Sequence, residues 1–286
     1  MKPCMLRING VRSAPIRALG NDIMASEYYE HLFGVSGKVA LVTGGTRGIG
    51  LMIAEGLIRC GARVYIASRK PDACAEAEAM LSALGDCVAF PSDVSTIAGC
   101  EALAGEVAAR ESRLDILVNN AGLTWSEDID KFSEKAWDKV MDLDIKGPFF
   151  LIQKLLPLIR AAASNEQRAS IVNVSSVNGL KPSGLRNYSY VAAKAGLNQL
   201  TAQLARDLMD EHINVNCIAP GPFQSKMTAP LYATPELEEQ VRAGFPMKRW
   251  GSVEDAAGLT IFLSSRAGSY LTGVTLPLDG GSTTIG

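Results

Sequence analysis

Short apolar runs alternate with longer amphipathic or alanine-rich stretches along the chain after Gly37. Apolar runs of about four to eight residues between turn residues predict buried strands, whereas longer stretches that stop at glycine predict helices. Strands are predicted at Lys38–Thr43, Arg63–Ala67, Cys87–Pro91, Leu114–Asn119, Ser170–Ser175, Ile213–Ile218 and Val274–Leu278. Helices are predicted at Ile49–Cys60, Asp72–Leu84, Thr96–Glu111, Ser133–Ala163 (one long helix or a pair), Ser189–Met209 and Val253–Leu263.

Continuous apolar strands that alternate with helices are typical of a parallel sheet covered on both faces. With right-handed crossovers, this pattern predicts an α/β, doubly wound Rossmann fold. The chain has 286 residues, and no repeat or linker divides its main part, so we predict one catalytic domain over residues 34–286. Residues 1–21 carry four basic residues, no acid and several Gly and Pro. We therefore expect residues 1–33 to be a poorly ordered N-terminal extension.

The amino-acid composition limits which partners the protein can bind and in which cellular compartment it is expected. Hydrophobic residues make up 47% of the chain, which is enough for a large core, and the net charge of −2 argues against nucleic acid or a membrane surface as partner. The six cysteines have no metal-binding spacing and only two histidines occur, so no metal site is expected and the cysteines are interpreted as reduced thiols. No apolar stretch reaches the length of a membrane-spanning helix. These observations predict a cytoplasmic protein.

A glycine-rich turn, TGGTRGIG over residues 43–50, joins the first predicted strand to the first predicted helix. Glycines at this place permit a tight turn and let the backbone approach a pyrophosphate at the helix N-terminus. The spacing from Gly44 is GxxxGxG rather than GxGxxG. A plain strand-to-helix connection is the alternative, but the position after the first strand favours nucleotide binding.

Tyr190 and Lys194 lie four residues apart in a predicted helix, so their side chains share one face. An ammonium group beside a phenol favours the phenolate, and a tyrosine tuned in this way can serve as a general acid or base. The pair alone is a weak signal, because tyrosine and lysine at this spacing also occur as solvated pairs. Tyr188 competes for the role, but the residue four positions after it is Ala192.

Four motifs occur in order along the chain: TGGTRGIG, the Asn119-Asn120-Ala121-Gly122 stretch, Ser176 followed by Tyr190 and Lys194, and Pro220-Gly221 after the sixth strand. Together they resemble the short-chain dehydrogenase/reductase family, over about residues 36–286. The stretches LVTGGTRGIG and HINVNCIAPGPFQSKMT are also similar to bacterial 3-oxoacyl (β-ketoacyl) reductases of the rhamnolipid-associated type. The resemblance implies hydride transfer between a nicotinamide cofactor and a carbonyl or alcohol.

The resemblance also implies where NADP(H) binds. The second strand is followed by Ser68, Arg69 and Lys70, with no acid at the place where NAD-dependent members carry one. Arginine binds phosphate bidentately, so Arg69 together with Arg47 predicts NADPH rather than NADH; the alternative is that these cations are only solvated. The remaining residues at cofactor positions of the family are Gly44, Thr46, Gly48, Ile49, Gly50, Ser68, Asp93, Val94, Asn120, Ala121, Gly122, Tyr190, Lys194, Pro220, Gly221 and Ser225.

Two residues in this region have structural alternatives. Asp93 corresponds to the family residue near the adenine amine, but it could instead be a helix N-cap. Asn119 would border the cofactor, or it could simply hold the end of the fourth strand.

By the same resemblance, Tyr190 donates a proton to the substrate's carbonyl oxygen, Lys194 supports the tyrosine and binds the nicotinamide ribose, and Ser176 orients the substrate oxygen. Such a donor is needed because hydride arrival builds alkoxide charge on that oxygen. Ser175 competes with Ser176. Tyr190 follows Ser176 by fourteen residues and Ser175 by fifteen. The interval in many relatives is one residue shorter than that from Ser176, so Ser176 fits the family pattern better and is favoured.

One position departs from the family pattern. The family usually places an asparagine before the fifth strand, where it holds a water that relays protons to the lysine, whereas this chain has Asp144. An ionised aspartate accepts hydrogen bonds but cannot donate them, and its charge would attract Lys194 if the two were close. We therefore include Asp144 among the candidate catalytic residues; the alternative is that it only satisfies a kink in the helix.

The substrate side is expected to be a lid at about residues 222–247. Its apolar residues fit an acyl chain, although they could equally pack the lid onto the domain; they are Phe223, Met227, Leu231, Tyr232, Phe245 and Met247. Trp125 could line the pocket or belong to the core. The main expectation is reduction of a 3-oxoacyl thioester or related ketone, and the alternatives are a sugar, polyol or steroid-like alcohol, or a regulatory protein without catalysis. The basic residues Lys226, Lys248 and Arg249 could meet an acyl carrier protein or acyl-CoA, and the family implies a homotetramer or homodimer.

Overall fold

The computed structural model describes residues 25–182 and 184–285, in which strands and helices alternate in the predicted order. The strands are β1 Val39–Thr43, β2 Arg63–Ser68, β3 Cys87–Pro91, β4 Ile116–Asn119, β5 Ala169–Val174, β6 Ile213–Pro220 and β7 Thr275–Leu278. The helices are α1 Ala25–Phe33, α2 Gly48–Arg59, α3 Pro71–Ser82, α4 Ile97–Ala108, α5 Glu134–Met141, α6 Gly147–Ala162, α7 Tyr188–Leu208, α8 Pro235–Gly244 and α9 Val253–Ser264. A π-helical turn, Asp142–Lys146, connects α5 to α6.

The strands form one parallel sheet in the order β3-β2-β1-β4-β5-β6-β7. The predicted α/β, doubly wound Rossmann fold is therefore confirmed. The strand order reverses between β1 and β4, and in such sheets ligands bind outside the carboxyl ends of the strands at this reversal. The glycine turn after β1 and the asparagine-containing stretch after β4 both lie at this edge.

The sheet is covered on both faces because its central strands carry apolar side chains in both directions. Leu41 and Leu117 belong to the core cluster on one face, and their neighbours Val42 and Val118 belong to the cluster on the other. Each such side chain stabilises the fold by about 1.5–3 kcal/mol relative to an exposed one. No helix within residues 25–182 or 184–285 is long and apolar enough to cross a membrane.

The prediction of one helix or a helix pair over Ser133–Ala163 is resolved by the π-helical turn. The chain stays helical from α5 into α6, and the wider turn carries Asp144 inward, where it is fully buried. Asp142 and Lys146, on the same turn, pair outside at 2.9 Å. Gly147 then lets α6 approach the loop after β3, because a Cβ there would lie 2.3 Å from the Val94 carbonyl oxygen. Such π-helical turns are frequent at functional sites.

The N-terminal extension differs from expectation in the part that the structure describes. Ala25–Phe33 forms α1 rather than a poorly ordered arm, so the prediction is wrong for these residues. The ring centres of Tyr29 and Phe33 lie 5.1 Å apart, and Glu27 lies in the first turn, where its carboxylate suits the helix dipole. Residues 1–24 lie outside the described residues, and for them poor order stays a prediction.

Candidate active site

The glycine turn and the end of β4 are joined by direct hydrogen bonds. The Asn120 side-chain amide donates to the Thr43 carbonyl oxygen at 2.9 Å, and the Thr43 hydroxyl accepts from the backbone N–H groups of Asn120 and Ala121, both at 3.0 Å. The contact needs glycine, because a Cβ on Gly50 would lie 2.3 Å from the Asn120 amide nitrogen. Asn120, predicted to border the cofactor, therefore also holds the two loops together.

The first turn of α2 has the properties of an anion cradle. Arg47 precedes the helix without a side-chain cap, and no acidic residue lies in the first turn. The N–H groups there remain open to an anion, which the positive end of the helix dipole favours. Gly44 and Gly48 have positive φ angles of 66° and 55°, so the turn needs residues without a Cβ. These features fit the pyrophosphate of a dinucleotide.

Three basic side chains lie in the glycine turn and directly after β2. Arg47, Arg69 and Lys70 are exposed, and their charged groups make no ion pair with any residue in the described ranges. Unpaired cations at the end of β2 are suited to a 2′-phosphate. Asp93 is not a helix N-cap, because Thr96 caps α4; the Asp93 carboxylate instead accepts from the Ser95 N–H and hydroxyl.

The remaining predicted cofactor residues lie around this edge of the sheet. Ser225 packs against the glycine turn, since a Cβ on Gly48 would lie 3.3 Å from its Cβ, and Gly221 leaves no room for a side chain beside Asp279. Ile49 lies in the first turn of α2, and strand ends or loops of the same edge carry the others: Thr46, Ser68, Val94, Ala121, Gly122 and Pro220. The structure brings them to one region, and their contact with a cofactor stays a prediction.

Tyr190 and Lys194 share the inner face of α7 and are 7% and 3% exposed. The Lys194 ammonium lies 5.6 Å from the centre of the Tyr190 ring and donates to the Val174 carbonyl oxygen at 2.9 Å. The Tyr190 hydroxyl makes no hydrogen bond with the part of the chain that the structure describes. It is therefore available to a ligand.

Asp144 lies directly beside Lys194. Its Oδ2 atom is 3.1 Å from the Lys194 Nζ atom, and its Oδ1 atom accepts from the Leu123 N–H at 2.9 Å. Both partners of this ion pair are buried, with the Asp144 side chain 0% and the Lys194 side chain 4% exposed. Asp144 is expected from the sequence to attract Lys194 if the two are close, and in the structure they are in direct contact.

The two candidate serines differ in what their hydroxyls do. The Ser175 hydroxyl donates to the Lys194 carbonyl oxygen at 3.0 Å, so it holds α7 against the end of β5. The Ser176 hydroxyl accepts from the Asn178 N–H at 3.2 Å and donates to no group among the described residues. Ser176 thus keeps a donor for a substrate oxygen, as its predicted role requires.

Tyr188, the competitor of Tyr190, lies at the start of α7 and is 39% exposed. Its ring packs edge-on against Phe132, with the ring centres 5.7 Å apart. It has no ammonium neighbour on α7, in agreement with the spacing argument.

Sequence reasoning missed a hydrogen-bonded chain below the site. The Asn119 amide donates to the Asn173 side-chain oxygen, and the Asn173 amide donates to the Thr201 hydroxyl, both at 2.9 Å. The chain ties β4, β5 and α7 together, so Asn119 holds the strand end, the structural alternative stated for it. The sequence did contain a signal for this chain of hydrogen bonds, namely asparagines inside otherwise apolar strands. Buried amides require hydrogen-bond partners, so such asparagines indicate a buried polar contact.

The lid residues divide into two groups. Phe223 is buried, and the rings of Tyr232 and Phe245 pack against Trp250 with centres 5.7 Å and 4.9 Å away. These three pack the lid onto the domain. The others are 44–62% exposed and remain available to an apolar ligand: Leu231, Met227 and Met247.

Trp125, left open between pocket and core, is 40% exposed, with the Lys139 ammonium 5.8 Å from its ring centre. It is not a core residue. Among the basic lid residues, Arg249 is paired with Asp255, and Lys248 donates to the Ala243 carbonyl oxygen. Only Lys226 of these three has no polar partner in the described ranges.

A cleft of about 260 Å³ lies between the lid and the end of β7, lined by Phe223, Phe245, Met247 and Asp279 among others. None of the candidate catalytic residues lines it. The Ser176 and Tyr190 hydroxyls are therefore not part of the lining of this cleft.

The known proteins that are similar to this chain are reductases and dehydrogenases. Residues 44–283 match a family model described as enoyl-(acyl carrier protein) reductase. A rhamnolipids biosynthesis 3-oxoacyl-[acyl-carrier-protein] reductase from Pseudomonas aeruginosa is 48% identical over 87% of this chain and 97% of its own. A 2-dehydro-3-deoxy-D-gluconate 5-dehydrogenase from Dickeya dadantii is 36% identical over 87% of this chain and 96% of its own.

A solved structure gives the same result for the fold. The Pseudomonas aeruginosa RhlG/NADP active-site complex superimposes with a TM-score of 0.85 at 47% identity. The match covers 88% of this chain and 98% of that one.

Proposed function

The chain belongs to the short-chain dehydrogenase/reductase family, and on this premise we propose that it catalyses the NADPH-dependent reduction of a 3-oxoacyl thioester to the 3-hydroxyacyl thioester. The single observation that carries the proposal is the buried Tyr190–Lys194 pair, with an uncommitted phenol hydroxyl, at the edge where the glycine turn forms an anion cradle. The 48% identical relative, a 3-oxoacyl-[acyl-carrier-protein] reductase, supports the substrate class.

The residues of the turn and of β2 would hold NADP(H). The N–H groups of the first turn of α2 would bind the pyrophosphate, and Arg47 and Arg69 would bind the 2′-phosphate. When bound, the dihydronicotinamide supplies the hydride. Two cationic contacts that NADH cannot use favour NADPH, as does the NADP complex of the similar solved structure.

Three side chains would then handle the substrate oxygen. Ser176 donates a hydrogen bond that orients the carbonyl, and Tyr190 donates the proton that neutralises the oxygen as charge develops on it. Lys194, held by the Val174 carbonyl oxygen, fixes the charge next to the phenol. Because the Ser175 hydroxyl holds α7 at the Lys194 carbonyl oxygen, the catalytic helix is aligned with the end of β5 before substrate binds.

We also propose the finer assignments implied by the family. The acyl group would be carried on acyl carrier protein or coenzyme A, and the protein would act in the cytoplasm as a homotetramer or homodimer. Sedimentation analysis of the purified protein tests the assembly; a monomer at enzymatic concentrations would contradict it.

A second candidate is oxidation or reduction of a sugar acid, favoured by the 36% identical 2-dehydro-3-deoxy-D-gluconate 5-dehydrogenase. An NADPH-oxidation screen separates the two. The proposal expects turnover of acetoacetyl-CoA and longer 3-oxoacyl thioesters with kcat/KM well above that for sugars and simple ketones. The reverse ranking would assign the chain to sugar metabolism.

A further inference from the structure

The ion pair between Asp144 and Lys194 is closed on every side that the structure describes. Asp144 Oδ2 has no solvent exposure and, apart from Lys194, no hydrogen-bonding group near it. A Cβ on Gly122 would lie 3.0 Å from that oxygen and 3.3 Å from the Lys194 Nζ atom, so the backbone after β4 packs against the pair. The two charged groups meet directly, with 3.1 Å between Asp144 Oδ2 and Lys194 Nζ.

Few other ionisable groups face this pair. On α7 the neighbour is Tyr190, on β6 it is Cys217, and the part of α5 that packs against Tyr190 presents the apolar Val140. Burial raises the pKa of the Cys217 thiol to about 11, so this group is neutral. The formal charges beside the Tyr190 phenol are therefore one cation and one anion, which cancel.

The Asp144 carboxyl group and the Lys194 ammonium are in direct contact, and each shifts the pKa of the other. Burial by itself would lower the pKa of Lys194, but the adjacent Asp144 carboxylate outweighs this and the pKa is raised, so the ammonium stays charged. Burial is the largest influence on Asp144 and raises the pKa of its carboxyl group, whereas the Lys194 ammonium and the Leu123 N–H act in the opposite direction. The second oxygen of Asp144 is also fixed, because it accepts from the Leu123 N–H.

We infer that Asp144 is a positioning residue that acts as the fixed counter-ion of Lys194. It thereby keeps the Tyr190 side chain protonated, which is the form that donates a proton in carbonyl reduction. The inference rests on the proposed function. A bare ammonium stabilises a neighbouring phenolate, whereas an ammonium paired with a carboxylate 3.1 Å away stabilises it less. The site is thus biased towards proton donation at neutral and mildly alkaline pH.

The test is the pH dependence of Asp144→Asn in both directions of the reaction. Asparagine keeps an oxygen for the Leu123 N–H but turns an uncharged amide towards Lys194, so the ammonium regains its full effect on the phenol. We expect the alkaline loss of acetoacetyl-CoA reduction, and the rise of 3-hydroxybutyryl-CoA oxidation, each to move to lower pH by about one unit. Superimposable profiles, or a move to higher pH, would overturn the inference.

Asp142→Asn is a matched control. It removes the same charge from the same π-helical turn, but the Asp142 side chain is 41% exposed and pairs with Lys146 outside the site. Its pH profiles should coincide with those of the wild type. An equal shift in this variant would assign the effect to general charge and overturn the role of Asp144.

A spectroscopic titration tests the same point without catalysis. The ultraviolet phenolate absorbance of Tyr190 is obtained by subtracting the titration of Tyr190→Phe from that of the protein without cofactor. We expect the wild-type phenolate to appear only above neutral pH, and at a lower pH in Asp144→Asn. A wild-type Tyr190 that is already ionised at neutral pH would overturn the inference even if the Asp144 variant failed to fold.

The outcomes separate this inference from the proposed function. If Tyr190→Phe retains full turnover, the tyrosine mechanism itself fails. If Tyr190→Phe is inactive while Asp144→Asn titrates like the wild type, only the counter-ion inference fails.

Discussion

The floor of the candidate site, formed by Tyr190, Lys194 and Asp144, is buried, whereas much of the lid is exposed. Tyr190, Lys194 and Asp144 are 0–7% exposed and are held by the sheet, α7 and the π-helical turn. Helix α8 in the lid has no buried residue, and Leu231 nearby is 44% exposed. The lid is anchored mainly by Phe223 and by the rings around Trp250.

From this difference we expect the reaction and the choice of substrate to depend on separate parts of the molecule. Groups that move protons need fixed distances and a dry surrounding, because charge interactions are stronger there. A segment attached by a few contacts can change its apolar surface without disturbing the sheet. We therefore expect substitutions in the floor to alter turnover and substitutions in the lid to alter substrate preference.

The largest expected effect is that of Tyr190→Phe. Removal of the phenol hydroxyl removes the proton donor, and we expect kcat for 3-oxoacyl reduction to fall about a thousandfold. NADPH binding, followed by nucleotide fluorescence, should change little. Tyr188→Phe removes the same atom at a 39% exposed position on the same helix, and its kcat should stay within a few-fold of the wild-type value. Equal losses of kcat in both variants would contradict a specific role for the buried Tyr190.

The cofactor preference should respond to the cations at the adenosine end. In the double variant Arg47→Gln/Arg69→Gln, loss of charged contacts to the 2′-phosphate should raise KM for NADPH about tenfold or more. KM for NADH should not change, because NADH lacks that group. Arg110→Gln, at an exposed arginine paired with Glu106, serves as control. Comparable kcat/KM of the wild type with both cofactors would contradict this prediction.

A smaller effect is expected at the lid. Leu231→Ser removes apolar surface that we expect to contact an acyl chain, so KM for longer 3-oxoacyl thioesters should rise a few-fold while KM for acetoacetyl-CoA stays constant. Leu84→Ser is matched in exposure, at 38% against 44%, and lies after α3. Equal changes of KM for short and long substrates would contradict a contact between Leu231 and the acyl chain.

The smallest effect concerns the junction between lid and domain. Asp255 bonds Arg249 and completes a capping box with Ser252 at the start of α9. The Arg249 guanidinium, against the effect of burial, lowers the pKa of Asp255 to about 2. Asp255→Asn should cost about 1 kcal/mol of the free energy of unfolding at neutral pH, measured with urea.

The pH dependence of this cost has a defined sign. A depressed carboxyl pKa contributes stability above its unfolded value of about 3.9. The difference between wild type and Asp255→Asn should therefore shrink as the pH falls from about 4 towards about 2. Glu236→Gln, which removes an exposed acid from the first turn of α8, should not reproduce this pattern; a difference that grows on acidification would contradict the assignment.

Much of the fold could be predicted because its signals are local. The apolar run of β3 has the same bounds in the sequence prediction and in the structure, Cys87–Pro91. Tyr190 and Lys194 lie four residues apart, and helix geometry alone then places their side chains on one face of α7. The reaction could be inferred for the same reason, since its motifs lie on short segments.

Features set by tertiary packing could not be predicted. The π-helical turn depends on how α5 and α6 meet the loop after β3, and no residue pattern marks it. The contact between Asp144 and Lys194 depends in turn on that turn and on the close approach of Gly122. The division of lid residues into anchors and exposed positions is likewise a property of packing, because Phe223 and Met227 look alike in the sequence.

The most direct test of the proposed reaction follows the hydride. Acetoacetyl-CoA is reduced by the wild-type protein with NADPH that carries deuterium at both C4 positions of the dihydronicotinamide, and the product is analysed by mass spectrometry. We predict 3-hydroxybutyryl-CoA with one deuterium on the carbinol carbon, and about a thousandfold slower formation of this product with Tyr190→Phe. NADPH binding without deuterium transfer to acetoacetyl-CoA or any longer 3-oxoacyl thioester would contradict the proposed function.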